Sequence, residues 1–508
     1  MSKPHDSEFR PGLPTRREAI IFRVKSLILQ GLRHAQNAND RSVRKNKRSN
    51  DLASEPVIGE SRTRLWTEHS AAERYLIAGK IHNLRKAIAN LNGVEVSGGS
   101  IFSFWKNVEK TTRRRGFVEG RELREGCLIP TIGGGLCQLS NALYDAALKA
   151  NLEIVERHAH TQVLAGSLAE VGRDATVFWN YVDLRFRSTN AFRIEADLSA
   201  DHLTVRIRGQ RSDAKQLHDL TRYAKANGHA NSCASCGQAE CFRSAKQPVD
   251  VGFGTTAFLV DEFVPEFDNY VRTKRTQQDK LSLPIDGKRI GKENYAWTTD
   301  GFAEVRQQPV FVLRRALRSR RLAMQGAARQ RNLLAAAERL SACYAKQLGF
   351  DALHIVVQQN LLPFLWRNGH LGGRTFDVLM TALPMNELQK RLDHAAALHP
   401  ESRTLADFRA EEDLIAAEDA ALAAARKIIT PHTEIAAIFR DRSELLPWVL
   451  PVVEPLQKIT SNKPVIVFPS STVGRKGCYE LRDAIRGKAL KTAHARPLRR
   501  RCGILEGA

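Results

Sequence analysis

The sequence predicts an α/β protein: an α+β domain with an antiparallel sheet, then an open Rossmann-like α/β domain and a truncated second one. Three observations predict it. Between residues 153 and 208 the chain turns to period-two alternation, as in Leu203-Thr204-Val205-Arg206-Ile207-Arg208, the pattern of an antiparallel sheet with one wet face. From about residue 251, short apolar runs are separated by longer helical patterns, which is how a parallel sheet with crossover helices reads. At 508 residues the chain is too long for a single core.

The first 50 residues carry 12 Lys/Arg against 4 Asp/Glu, and Arg41 to Arg48 reads RSVRKNKR. Residues 1–65 therefore read as a disordered basic arm. Within it, Ala19 to Leu29 (AIIFRVKSLIL) has the alternative of a short amphipathic helix on a membrane surface. Charges at Arg23 and Lys25, and no small-residue cleavage site, argue against a signal peptide. No apolar run approaches the length of a membrane span. Eight cysteines do not make a disulfide framework, so the expected place is the cytoplasm, with peripheral contact at the inner face of the membrane as an option. The net charge of +23 favours anionic partners and says nothing about fold.

Residues 66–210 form the first folded domain. Leu76, Ile77, Ile81, Leu84, Ile88 and Leu91 recur at helical spacing, closed by Asn92-Gly93. Gly98-Gly99 and the aromatic cluster Phe102, Phe104, Trp105 follow. The run Gly133-Gly134-Gly135-Leu136-Cys137-Gln138 then leads into apolar residues Leu139, Leu143, Ala146 and Ala147, which places Cys137 at the positive end of a helix. A thiolate is favoured there, and bare glycine backbone admits a ligand or another chain segment. The alternatives are a buried structural cysteine at a tight turn, or a phosphate received by the glycine turn without thiol chemistry. Glu153 to His158, Ala175 to Val182, Leu184 to Arg187 and Leu203 to Arg208 read as strands.

His158 and His160 point to opposite faces if their strand continues. One of them can then meet Cys137 while Asp174, after a glycine turn, orients it. Cys137, His160 and Asp174 are therefore the candidate catalytic set, with the base drawing the thiol proton and the carboxylate holding the base. A zinc site from Cys137, His158 and His160 is less suited, because two histidines one residue apart on a strand do not readily share an ion. Arg113, Arg114 and Arg115, with Arg121, read either as an anion clamp or as a solvated basic loop.

Residues from about 78 to 185 resemble the VanW family. The segments that carry the resemblance are AGKIHNLRKAIANLNGVEV, IFSFWKNVEKTTRRRGFVEGRELREG, LIPTIGGGLCQLSNALYDAALKANLEIVERHAHT and GRDATVFWNYVDLRF. Gly133, Gly134, Gly135, Cys137, Gln138, Glu156, Arg157, His158 and His160 occupy the family motif. The resemblance implies a protein of unestablished reaction linked to bacterial cell-envelope or glycan metabolism, or to glycopeptide resistance. Its ligand, an anionic small molecule or glycan precursor, is expected at Gly133, Gly134, Gly135, Gln138 and His158 with the three arginines. Many relatives carry export signals, a pattern missing from this reading of the chain.

Residues 211–250 form a polar linker with the array Cys233-Ala-Ser-Cys236-Gly-Gln-Ala-Glu-Cys241. Thiols at this spacing suit zinc or an iron–sulfur cluster, with His218, His229 or Cys343 as a fourth ligand. A redox dithiol and unligated cysteines are the alternatives.

Residues 251–460 read as the Rossmann-like domain. Strands are expected at Ala257–Val260, Ala352–Val357, Phe376–Met380 and Lys427–Thr430, with a long basic helix over 315–348 and an alanine-rich one over 416–425. Gln358, Gln359 and Asn360 place amides at the carboxyl end of a strand, where open sheets bind ligands. Residues 461–508 open with the strand Pro464–Pro469, and Gly474, Arg475, Lys476 and Gly477 suit a diphosphate. Together these pieces resemble a glycosyltransferase of the two-Rossmann-domain type, which implies a nucleotide-sugar donor held at those four residues. Too few residues follow for a full donor domain, so the alternatives are a truncated form, a partner chain that supplies the missing domain, or a fold retained as an acceptor-binding module. The basic tail has no interleaved aromatics, so nucleic acid is not indicated.

Metal analysis of anaerobically purified protein tests the cysteine array. Bound zinc or iron lost in a Cys233→Ser/Cys236→Ser variant supports a metal site; metal-free wild-type protein excludes it.

Overall fold

The computed structural model describes residues 16–40, 42–66, 71–124, 127–160, 168–211, 254–322, 326–402, 404–450, 465–468, 476–486 and 491–494. The chain divides into two compact units. The first is Met1–Thr255 with Gly349–His354 and Asn368–Thr375; the second is Thr256–Leu348, Ile355–Arg367 and Phe376–Ala508.

The first unit begins with α1 (Arg16–Asn39), β1 (Lys47–Arg48) and β2 (Val57–Arg64), followed by α2 (Ala71–Leu91), β3 (Val94–Val96) and β4 (Ile101–Ser103). Next come α3 (Phe104–Val108), the hairpin β5 (Glu119–Arg124) and β6 (Cys127–Ile132), and α4 (Cys137–Lys149). It closes with β7 (Glu153–Glu156), β8 (Arg185–Arg187), β9 (Phe192–Leu198) and β10 (His202–Gly209). The main sheet is antiparallel in the order β1-β3-β9-β10-β2, with a smaller sheet β4-β8-β7. Alternation in β10 does what it predicts. Leu203, Val205 and Ile207 are buried, while Arg206 pairs outward with Glu60 (2.7 Å) and Asp197 (2.8 Å).

One core joins the sheet to two helices. Ile77, Ile81, Leu84 and Leu91 of α2 and Leu139, Leu143, Ala146 and Ala147 of α4 are buried with Val94, Phe192 and Ile194. Each fully buried leucine contributes roughly 1.5–3 kcal/mol. A Cβ on Gly59 of β2 would overlap the Ala146 carbonyl oxygen, so α4 lies directly on bare strand backbone. The hairpin is fixed by a buried amide. Asn83 Nδ2 donates to the carbonyls of Val118 and Gly134 (both 3.0 Å), and its Oδ1 accepts from the Val118 N–H (3.0 Å).

Two expectations are corrected here. The basic arm is not disordered throughout residues 1–65: its described part holds α1, β1 and β2, and β2 is an edge of the main sheet. Ala175 to Val182 is a turn rather than a strand, with a single bridge between Phe178 and Val182. Asp183 shapes that turn. This buried carboxylate accepts from Ser103 Oγ (2.6 Å), the Trp105 N–H (3.1 Å) and Arg185 Nε (2.9 Å).

The second unit contains β11 (Thr255–Leu259), α5 (Pro265–Lys274), β12 (Lys280–Leu283), β13 (Glu304–Gln307), α6 (Pro309–Arg321) and α7 (Gly326–Gln347). It continues through β14 (Ala352–Gln358), α8 (Leu362–Arg367), β15 (Thr375–Leu379), α9 (Met385–Leu398), α10 (Glu412–Ala424), β16 (Lys427–Thr430), α11 (Thr433–Ile438) and β17 (Ser443–Leu445). The order β13-β12-β11-β14-β15-β16-β17 reverses direction beside β11, as in a doubly wound Rossmann-like sheet, and the pairings β11–β12, β12–β13, β15–β16 and β16–β17 are parallel. The long basic helix is two helices, α6 and α7, the first started by a proline at its N-terminus. Beyond them β18 (Val465–Phe468), α12 (Cys478–Ile485) and β19 (Lys491–His494) make one parallel βαβ unit.

Gly59→Val is expected to destabilise the first unit by about 2–3 kcal/mol through overpacking. Asn83→Ala is expected to cost about the same by leaving buried backbone groups unpaired. Urea unfolding checks both; an unchanged midpoint in either variant refutes the corresponding packing account.

Candidate functional site

The β5–β6 hairpin hands the chain to α4 through a turn that side chains do not fit. Gly133 (φ 81°) and Gly135 (φ 96°) occupy the left-handed region. A Cβ on Gly134 would overlap the Gly120 carbonyl, and one on Gly135 would overlap the Lys80 side chain. The bare backbone of Gly133 to Gly135 therefore forms one wall of a cleft of about 460 Å3. Trp105, Phe178, Trp179 and Tyr181 form aromatic walls, Glu122 and Thr131 add polar groups, and Cys137 and Thr176 lie at its lining.

Cys137 is the first residue of α4, and the capping residue Leu136 provides no side-chain acceptor to the helix start. Its Sγ lies 3.8 Å from Thr176 Oγ1. His160 Nδ1 is 2.5 Å from Asp174 Oδ1, and the His160 backbone N–H donates to Asp174 Oδ2 (2.5 Å). Burial pushes the imidazole pKa down, but hydrogen bonds to Asp174 and Cys137, with their charges, outweigh it and raise the value to about 10. Of the residues expected to meet, His160 and Asp174 are in direct contact, and Cys137 raises the pKa of the same imidazole.

The segment that carries Asp174 is tied down on both sides. Ser140 Oγ of α4 donates to the Ala175 carbonyl (2.5 Å), and the Ala175 N–H donates to Asn141 Oδ1 (2.7 Å). Arg157 Nε donates to the Asp174 carbonyl (2.5 Å), with its guanidinium 5.2 Å from the centre of the Tyr144 ring. His158 faces the other way: it is exposed, with Nε2 3.2 Å from Glu156 Oε1. Glu156 also takes a two-pronged bond from Arg33 of α1 (2.6 and 2.8 Å). Burial opposes its ionisation, but the bonds from His158 and Arg33 and the Arg33 and Arg185 charges hold its pKa below the ordinary value.

Other expected site residues stand elsewhere. Gln138 Nε2 donates to Thr63 Oγ1 (2.9 Å) and the Arg64 carbonyl (2.7 Å), which fastens α4 to β2. Arg113, Arg114 and Arg115 do not line the cleft. Arg113 pairs with Glu119 (2.5 Å), Arg115 pairs with Glu109 (2.6 Å), and Arg114 is exposed. Sequence reasoning missed Thr176, Glu122 and the aromatic turn; the dense aromatics of Phe178 to Tyr181 were its signal, and their β-prone composition resembles a strand.

In the second unit the strand-end amides are already engaged. Asn360 Nδ2 and Arg315 Nη1 bond the buried Asp261 carboxylate (2.8 and 2.5 Å), and Gln358 bonds the Asp261 N–H and the Glu262 carbonyl. A second cavity of about 320 Å3 lies beyond the ends of β15 and β16, lined by Thr381, Pro431, His432 and Trp448. Lys476 is exposed and Gly477 (φ 81°) caps α12, while Gly474 and Arg475 lie outside the described residues. So do Cys233, Cys236 and Cys241. Among the described residues, no cluster of three His, Cys, Asp or Glu side chains is placed to hold a metal, and no helix is long and apolar enough to cross a membrane.

Residues 79–208 match the family model described as VanW like protein, and the match ends before the α/β unit. The chain is 29% identical over 175 residues to the Vancomycin B-type resistance protein VanW of Enterococcus faecalis, covering 34% of this chain and 62% of that protein. It is 35% identical over 107 residues to the uncharacterized protein YoaR of Bacillus subtilis, covering 21% of this chain and 35% of that one. Less than two thirds of either relative is spanned, and neither comparison supports the glycosyltransferase resemblance of the C-terminal region. Residues 79–208, which hold the glycine turn, Cys137, His160 and Asp174, are therefore homologous to the VanW family.

Proposed function

We propose that the VanW-like segment is a thiol-dependent acyl-transfer enzyme of cell-envelope metabolism, with a glycan-linked precursor as its substrate. The bond of His160 to Asp174, the upward pull of Cys137 on the same imidazole and the place of Cys137 in the cleft lining support this reading. Cys137 Sγ is the nucleophile, and on attack its proton passes to His160 while the start of α4 favours the developing negative charge. Attack on an acyl carbon forms a thioester. The His160 imidazolium gives its proton to the departing amine or alcohol. Water, deprotonated by the then neutral imidazole, releases the acid and restores the thiol proton to the pair. Asp174 orients the ring and stabilises its charge. The aromatic walls suit a sugar ring, and the vancomycin-resistance name of one relative supports an envelope setting.

A cytoplasmic location with an anionic precursor as ligand belongs to the same proposal. Zinc or an iron–sulfur cluster at Cys233, Cys236 and Cys241 remains a separate one. The non-enzymatic reading, an anion-binding scaffold, has less support because Arg113 and Arg115 already pair with glutamates. Sugar transfer by the α/β unit with a partner chain rests on its Rossmann-like sheet alone.

Protonated His160 stabilises the fold fully below its ordinary value of 6.5, and this contribution is lost as pH rises through about 10. By NMR titration the ring is expected to lose its proton near pH 10, and Asp174→Asn to move that pH down toward 6.5. An unmoved titration removes Asp174 from the role. Iodoacetamide is expected to label Cys137 roughly tenfold faster in the wild type than in His160→Ala, with Cys137→Ser as the blank. Equal rates, with circular dichroism showing both folded, would falsify the thiol–imidazole assignment.

A further inference from the structure

Helix α1 is amphipathic, but it is attached by its polar side. At 100° per residue, Ser26, Gln30, Arg33 and Asn37 fall on one face. Gln30 Nε2 donates to the Trp179 carbonyl (3.0 Å), Arg33 grips Glu156 and the Tyr181 carbonyl (2.9 Å), and Asn37 Oδ1 accepts from Arg185 Nη2 (2.7 Å). The opposite face carries Ile20, Ile21, Val24, Ile28 and Leu32, each between 49% and 60% exposed. A helix docked for folding alone buries its apolar side and leaves its polar side to water. Here the order is reversed, and five large apolar side chains share one outward face.

Charge selects the occupant. The sequence of α1 holds Arg16, Arg17, Arg23, Lys25 and Arg33 against Glu18 alone, and only Arg33 is drawn inward to a carboxylate among those whose side chains are described. An apolar stripe on a basic helix too polar to span a bilayer is the composition of a helix that lies in a lipid interface. A basic chain of net charge +23 adds attraction to anionic headgroups.

We propose that α1 seats the first unit on an anionic membrane surface by its outward apolar face. The same helix borders the cleft: Ser26, Leu27 and Gln30 line it together with Cys137. Membrane seating therefore brings the cleft mouth to the headgroup layer, where an amphiphilic, lipid-linked precursor presents its polar end. This second step rests on the reading of the cleft as the substrate site; the seating does not.

The test is co-sedimentation of the full chain with vesicles of phosphatidylcholine with and without phosphatidylglycerol. The wild type is expected to bind the anionic vesicles, and less the neutral ones. Val24→Glu/Ile28→Glu, both on the outer face and outside the cleft, is expected to bind about tenfold more weakly with unchanged thermal unfolding. Cys137→Ser is expected to bind like the wild type, so that loss of the thiol chemistry and loss of the membrane contact are separately visible. Three results overturn the proposal: no binding to anionic vesicles, equal binding by the double variant, or a vesicle-independent dimer in sedimentation velocity that the double variant dissolves. The last would give the face to a second copy of the chain.

Discussion

Hydrogen bonds from the side of α4 to the backbone of Asp174 to Thr176 hold the cleft together. Ser140 and Asn141 sit within the first turns of the helix, buried, and each finds its partner in Ala175. Breaking either bond leaves a buried polar group unpaired, which costs about 1–3 kcal/mol, more than the net gain of forming one. The segment therefore has little freedom to shift along the helix. Because Asp174 and Thr176 flank Ala175, fixing that residue fixes the carboxylate that holds His160 and the hydroxyl that meets Cys137. Arg157 secures the same segment from the other side, through the Asp174 carbonyl.

Around this centre, several buried or half-buried polar groups bring distant pieces of chain together. Asn83 joins α2 to the β5–β6 hairpin and to the Gly134 carbonyl. Asp183 joins the aromatic turn to β4 and α3. The Arg33–Glu156 pair joins α1 to β7. Such pairs repay their desolvation only where the geometry is good and the remaining oxygens are satisfied. Both Glu156 oxygens meet Arg33, and Oε1 also accepts from the Asp183 N–H (3.2 Å). The result is a cleft whose walls come from four separate stretches of sequence.

The second unit illustrates the opposite balance. Its sheet order follows the doubly wound pattern, and the position beside β11 where direction reverses is where such sheets bind ligands. Asp261 stands just beyond β11, and Arg315, Asn360 and Gln358 already meet it. The strand-end amides that looked available in the sequence thus serve a buried carboxylate. Open volume lies instead near His432 and Trp448, at the other half of the sheet.

Local pattern was enough for much of the fold. Leu139, Leu143, Ala146 and Ala147 marked the buried face of α4, and Leu203, Val205 and Ile207 that of β10, because burial on one side imposes periods of 3.6 and 2 on the sequence itself. The glycine run likewise announced a backbone that side chains do not fit. Period failed where the partner was distant or the element short: β12 and β13 have four residues each, and the turn at Phe178 to Tyr181 has the aromatic composition of a strand. The basic arm misled for a related reason, since α1 is fixed by Gln30, Arg33 and Asn37, polar residues whose partners lie more than a hundred positions away. Sequence by itself determined which residue types were present for thiol chemistry and where one helix would begin. Tertiary structure decided which of two neighbouring histidines meets Asp174, that the three arginines stand outside the cleft lining, and which side of α1 is left outside. Those outcomes depend on hydrogen-bond partners supplied by other elements, and no periodicity within a segment encodes them.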